Sequence, residues 1–136
     1  MTRGKSYKSI TSLLAITFAF LFTACSSYVA PTPVTGLVPQ GLTKEQVRRD
    51  IGDACQNRDM TYKDISDNEI EAIYTRGNMF IAFTIRYDAS QYTIIYKDSK
   101  NLKSKKGKIH SKYLKWVNNL NKSIHNELAN TKFDRK

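Results

Sequence analysis

The sequence predicts an α+β fold, a two-layer sandwich in which a helix, an antiparallel meander of three or four strands and a long C-terminal helix follow one another along the chain. A capping box opens an amphipathic helix near residue 43, alternating apolar runs fill residues 69–97, and a single apolar stripe runs through residues 113–128. The 136 residues suffice for one ordinary domain. Eight Tyr, six Phe and one Trp at a mean hydropathy of −0.49 argue for a small packed core and against a polytopic membrane protein.

The first helix follows from its start signals. Thr43 caps it with Gln46 three residues on, and Leu42 and Val47 occupy the two positions of a hydrophobic staple. Val47, Ile51, Ala54 and Cys55 then share a face, so the helix is expected over residues 44–57, with Cys55 packed as a small hydrophobe. Residues 69–76 alternate, Gly77-Asn78 supplies a two-residue turn, and Met79, Ile81, Phe83 and Ile85 line one face of the next strand. After Asp88-Ala89-Ser90, Tyr92, Ile94 and Tyr96 place a third strand over residues 91–97; residues 60–65, with weaker alternation, lead the meander through a turn at Asp67-Asn68. Tyr113, Val117, Leu120, Ile124 and Leu128 form the stripe of a helix expected over residues 111–129, with Trp116 beside it and residues 131–136 as a loose tail.

The N-terminal end differs from all of this. Arg3, Lys5 and Lys8 precede an apolar stretch over residues 13–22 interrupted only by Thr17, the pattern of a secretory signal peptide. The stretch is well short of the roughly 20 residues that span a bilayer. Leu21-Phe22-Thr23-Ala24-Cys25 resembles the lipobox of bacterial lipoproteins, although Phe22 stands where Leu is commonest. That resemblance implies cleavage between Ala24 and Cys25 and acylation of the Cys25 sulfur; two or three acyl chains then hold the chain to a membrane effectively permanently. Ser26 after the lipidated Cys implies, by the sorting of such lipoproteins, the periplasmic side of the outer membrane. Cys55 is the only other Cys, so a mature chain has no intramolecular disulfide.

All three prolines, Pro31, Pro33 and Pro39, fall in residues 26–41, which carry no charge. This stretch reads as a tether able, at about 3.1 Å per residue, to lift the domain up to roughly 50 Å from the lipid. The expected layout is therefore a signal peptide at 1–24, the lipidated Cys and tether at 25–41, the α+β domain at 42–130 and the tail at 131–136.

Tyr92-x-Ile94-x-Tyr96-Lys97-Asp98-Ser99-x-Asn101-Leu102, followed by Ile109-His110-x-x-Tyr113-x-x-Trp116-x-x-Asn119-Leu120-x-x-x-Ile124-x-x-x-Leu128, resembles small proteobacterial outer-membrane lipoproteins of unknown function. The likeness spans residues 42–128 together with the lipobox. It implies a lipoprotein with a compact α/β domain and supplies no activity.

Catalytic apparatus is not visible. His110 and His125 lie fifteen residues apart and cannot share a metal ion; no metal or other cofactor is expected, and no Cys-x-x-Cys, phosphate loop or nucleophile elbow occurs. Glu69 and Glu71 project to one side of a strand, as an exposed sheet face also requires. Two sets remain as candidate binding residues. Removal of the signal lowers the formal net charge from +10 to +7, and residues 97–115, with eight Lys against Asp98, carry a local +7 of their own. Lys103, Lys105, Lys106 and Lys108 sit in a stretch, residues 101–109, expected to be a flexible loop feeding a helix N-terminus, where free N–H groups favour anions. The second set is Ser99, Asn101, His110, Tyr113 and Asn119, expected to line a small pocket or partner groove with Tyr96 and Trp116, with His110 and Tyr113 as neighbours on one helix face. A solvated lysine run and a satisfied turn-and-cap arrangement are the structural alternatives for the two sets.

The expected function is that of a non-enzymatic, lipid-anchored envelope lipoprotein facing the periplasm. Its expected partners are the membrane through its anchor and an envelope protein, lipopolysaccharide or peptidoglycan; its compartment leaves no role for nucleic acid. The alternative is an enzyme acting on envelope material through the His110 and Tyr113 region.

Overall fold

The computed structural model describes residues 27–134, so the signal peptide and the Ala24-Cys25 junction lie outside the described residues. In chain order the elements are β1 (Tyr28–Val29), β2 (Val34–Leu37), α1 (Lys44–Gln56), β3 (Met60–Ser66), β4 (Glu69–Arg76), β5 (Met79–Tyr87), β6 (Gln91–Lys100), β7 (Ser104–Lys105), β8 (Lys108–His110) and α2 (Lys112–Phe133). The fold is α+β, as expected, with both helices against one face of an antiparallel sheet ordered β2-β6-β5-β4-β3.

Local chemistry explains the boundaries. Thr43 accepts from the Gln46 amide at 3.2 Å while Gln46 accepts from the Thr43 amide at 2.9 Å, so the capping box closes in both directions. The meander from β3 to β6 runs through tight turns, and Gly77 takes a positive φ of 58°, which the first residue of the β4–β5 hairpin turn requires. Rows of inward side chains follow the register: Ile94, Ile85 and Ile70 across three strands, and beside them Tyr96, Phe83 and Ala72. These rows meet Val47, Ile51, Ala54 and Cys55 of α1 and Tyr113, Val117, Leu120, Ile124 and Leu128 of α2 in a single core. Burial pushes the Cys55 thiol up to about 12, which removes it from thiolate chemistry.

Three expectations fail. The tether is not a tether: β2 pairs along the free edge of β6 from Val34↔Ile94 to Leu37↔Gln91, and Val38 and Leu42 are buried behind it. The prolines flank that strand without interrupting it, and so remove no ladder hydrogen bond. Residues 101–109 are not a flexible loop, because β7 and β8 form a hairpin whose turn, Lys106-Gly107, has positive φ at both residues, the signature of a tight two-residue turn. With β1 paired to the other side of β8 it makes a second, three-stranded sheet. The tail is helical through Phe133, since Thr131 donates to the buried Asp50 carboxylate at 2.9 Å and Lys132 to the Gln40 carbonyl.

The face of the main sheet away from the helices is spanned by charge pairs. Glu69 pairs with Arg86, and Glu71, nearly buried, is held between Lys63 at 2.9 Å and Lys97. Lys97 is the extra residue of a bulge between Ala82 and Phe83 of β5. The two glutamates are thus each committed to cations, and Lys97 followed by Lys63 holds the Glu71 carboxyl below the usual carboxylate range.

Candidate functional site

The second predicted set is not brought together. Ser99 shares a hydrogen bond with the Tyr96 hydroxyl at 2.9 Å, and the Asn101 amide donates to the Asn78 carbonyl in the β4–β5 turn at 2.5 Å. His110 belongs to β8, so it is not a helix neighbour of Tyr113. Its Nδ1 accepts from the Lys112 amide at 3.1 Å, which caps α2 where Ser111 gives no side-chain bond, and its ring meets Tyr28 edge-on. Tyr113 is fully buried, stacked on Phe83 and edge-on to Tyr96; burial pushes its phenol up to about 12. Ser99, Asn101 and His110 are spent on separate local partners and Tyr113 is in the core, while Asn119 lies apart from them, in a recess beside Trp116. A concave site built from Ser99, Asn101, His110 and Tyr113 is therefore excluded.

The first set is placed on the surface. Lys103, Lys106 and Lys108 are exposed on the β7–β8 hairpin; of Lys105 only the backbone pairing with Lys108 is described.

A different arrangement emerges at the N-terminal half of α2. The turn that follows α1 is tied to α2 farther along the helix, through Arg58 to Ser123 at 2.6 Å and Asn57 to Glu127 at 2.8 Å. The space left open is a cleft of about 550 Å³ lined by Arg76, Met79, Lys112, Lys115 and Trp116. Trp116 is half-buried, its ring 5.7 Å from that of Tyr74 on β4, so tertiary packing fixes its orientation. Arg76 and Met79 are cross-strand partners at the end of the β4–β5 hairpin. Lys112 and Lys115 are three apart on α2 and hence neighbours. A smaller recess of about 270 Å³, which shares Arg76, Lys115 and Trp116, continues toward Asn57, Arg58, Asn119 and one acid, Asp59.

Electrostatically the cleft is one-sided. No acid lines the larger space, and none of Arg76, Lys112 and Lys115 has an ion pair among the described residues. The first turn of α2 carries no acidic residue, so its two lysines sit at the positive end of the helix dipole. Such a site suits a ligand with a phosphate or carboxylate for the cations and a flat apolar face for the Trp116 ring and Met79. The sequence placed Lys112, Lys115 and Trp116 on one helix but gave no sign that Arg76 and Met79 join them, brought in by the distant β4–β5 hairpin.

Among the described residues no three His, Cys, Asp or Glu gather as a metal-binding set. No helix there is long and apolar enough to cross a membrane. Comparison with protein-family models, curated proteins and solved structures found no match. The fold and the cleft therefore define the class: an α+β sandwich bearing a cationic, tryptophan-floored recess.

Proposed function

We propose that this protein is a lipid-anchored envelope lipoprotein, attached through Cys25 on the periplasmic side of the outer membrane, whose domain binds an anionic envelope component without catalysing a reaction. The observation that carries the binding reading is the grouping of Arg76, Lys112 and Lys115, none of which has an ion pair among the described residues, around the half-exposed Trp116. Lipopolysaccharide phosphates, peptidoglycan carboxylates and acidic side chains of an envelope protein all offer the required charge. The lysines were legible as a charge run, whereas the cleft gives that charge a concave, aromatic receiving surface.

Trp116 is the only tryptophan in the chain, so its emission reports on the site directly. Titration of the purified full-length protein with soluble peptidoglycan fragments and, separately, with lipopolysaccharide should give a saturable change for one of them. That change should weaken as salt rises and disappear in Arg76→Glu. A flat emission response to both at low salt overturns the reading of this cleft.

A further inference from the structure

The chain enters the fold at a position that bears on what the lysine hairpin faces. The Ser111 amide, at the start of α2, donates to the Ser27 carbonyl at 2.8 Å, and the next two residues pair with β8 as Tyr28↔His110 and Val29↔Ile109. Tyr28 also lies edge-on to the His110 ring at 6.1 Å. On the far side of the same strand the His110 amide donates to the Lys103 carbonyl at 2.9 Å. Ser27 is thus strapped at the base of the hairpin, across β8 from Lys103 and at the start of α2. Cys25 precedes it by two residues, a reach of at most about 7 Å. The stretch that was expected to hold the domain roughly 50 Å away leaves almost no slack at all.

We infer that the anchored domain is seated directly on its membrane, with the lysine hairpin against an anionic phospholipid leaflet. The inference rests on the lipidation of Cys25 proposed above. A lipid on Cys25 brings the headgroup plane to the base of the hairpin, and Lys103 at that base, Lys106 in its turn and Lys108 beside the turn are exposed and have no ion pair among the described residues. The only acid between residues 97 and 115 is Asp98, whose carboxylate accepts from the Ser99 amide at 2.7 Å. Charge complementarity therefore selects phospholipid phosphates in the same leaflet, and the attraction acts within a Debye length of the surface, about 10 Å at 0.1 M salt. Seating also orients the cleft, because Trp116 lies five residues along α2 from Ser111, an axial rise of about 7.5 Å.

Trp116 makes this measurable. The acylated full-length protein, extracted from membranes, is reconstituted into phosphatidylcholine vesicles with or without about 30% phosphatidylglycerol, and quenching of Trp116 by a headgroup nitroxide lipid is compared. Quenching should be roughly twofold or more stronger in the charged vesicles at low salt and should fall to the neutral-vesicle level in the triple variant Lys103→Glu, Lys106→Glu, Lys108→Glu. Twelve Gly and Ser residues inserted between Ser26 and Ser27 should lower the quenching in neutral vesicles, because the strap then no longer limits the distance to the lipid. Equal quenching in both compositions, indifference to the charge reversals, or indifference to the insertion each overturns the seated arrangement. Metabolic labelling separates the two readings. Absence of an acyl chain on Cys25 removes the anchor and the seating together, whereas a labelled protein that fails the vesicle comparison removes the seating alone.

Discussion

Tyr92 lies flat against Gly36, its partner across the β2–β6 pair, so closely that a Cβ on Gly36 would fall 2.3 Å from the ring's Cζ and hydroxyl oxygen. The ring cannot turn away, because it is fully buried and its hydroxyl donates to Asn121 Oδ1 on α2 at 2.7 Å. Gly36→Ala must therefore push β2 off β6 or displace Tyr92 from the core. Overpacking of this kind typically costs about 1–3 kcal/mol. The measurement is the urea midpoint of the variant against the parent. An unchanged midpoint would mean that residues 34–37 behave as the extended tether that the flanking prolines suggest.

The helix dipole sets up a second prediction in which stability and binding move in opposite directions. Lys112 lies in the first turn of α2 beside Lys115, and that turn carries no acid. A cation at this end opposes the macrodipole by roughly 0.3–1 kcal/mol. Lys112→Glu should therefore raise the thermal midpoint while weakening the response of Trp116 to anionic ligands. A merely solvated lysine surface would show the gain in stability with no loss of binding, since no ligand would have been bound there.

Glu71 gives the fold an acid dependence whose sign is determined. Its carboxyl is held below the usual carboxylate range by Lys97 first and by Lys63 next. The stabilisation is present in full above the ordinary Glu value of about 4.3 and is lost as pH falls through the lowered native value. Glu71→Gln should cost about 1 kcal/mol at pH 7. The gap between parent and variant should narrow steadily toward pH 3, measured as denaturant midpoints across the range. A gap that stays constant with pH would assign the cost to packing of the side chain instead of its charge.

How much of this was legible in the sequence depends on how cleanly each segment alternates. The strands over residues 69–97 were readable because Ile81, Phe83, Ile85, Tyr92 and Ile94 repeat with a period of two on a half-buried sheet, whereas residues 60–65 alternate only weakly and β6 runs on through residues 98–100, past that pattern. The strand at 34–37 was not, because its inward positions are Val34 and Gly36, and a glycine that makes room for Tyr92 looks in sequence like a breaker. The β7–β8 hairpin was hidden for a different reason: Ile109 is its buried apolar side chain, and the other positions of residues 103–110 are four lysines with Ser104, Gly107 and His110. Lys106-Gly107 was the available turn signal, weak because a lysine adopts the positive φ usually left to Asn or Asp. At the candidate site, the charge run and Trp116 could be read off α2, whereas Arg76 and Met79 reach it only through long-range strand pairing, which no local pattern encodes.

The C-terminus offers the last test, because a loose tail and a packed helix end respond oppositely to truncation of one hydroxyl. Asp50 is buried on α1, and Thr131 is one of two side chains that reach its carboxylate, at 2.9 Å, the other being Arg49 at 3.2 Å. The second oxygen of that carboxylate has no hydrogen-bond partner among the described residues, so the loss of Thr131 leaves Arg49 alone. Thr131→Val keeps the shape of the side chain and removes the donor, which should cost about 1–2 kcal/mol. Phe133→Ser two residues on removes a side chain that is 67% exposed and should change stability by no more than about 0.5 kcal/mol. Equilibrium unfolding of the two variants side by side separates the cases: equal and negligible effects would return residues 131–136 to the status of a tail, and a cost confined to Thr131 fixes the end of α2 as part of the core's polar framework.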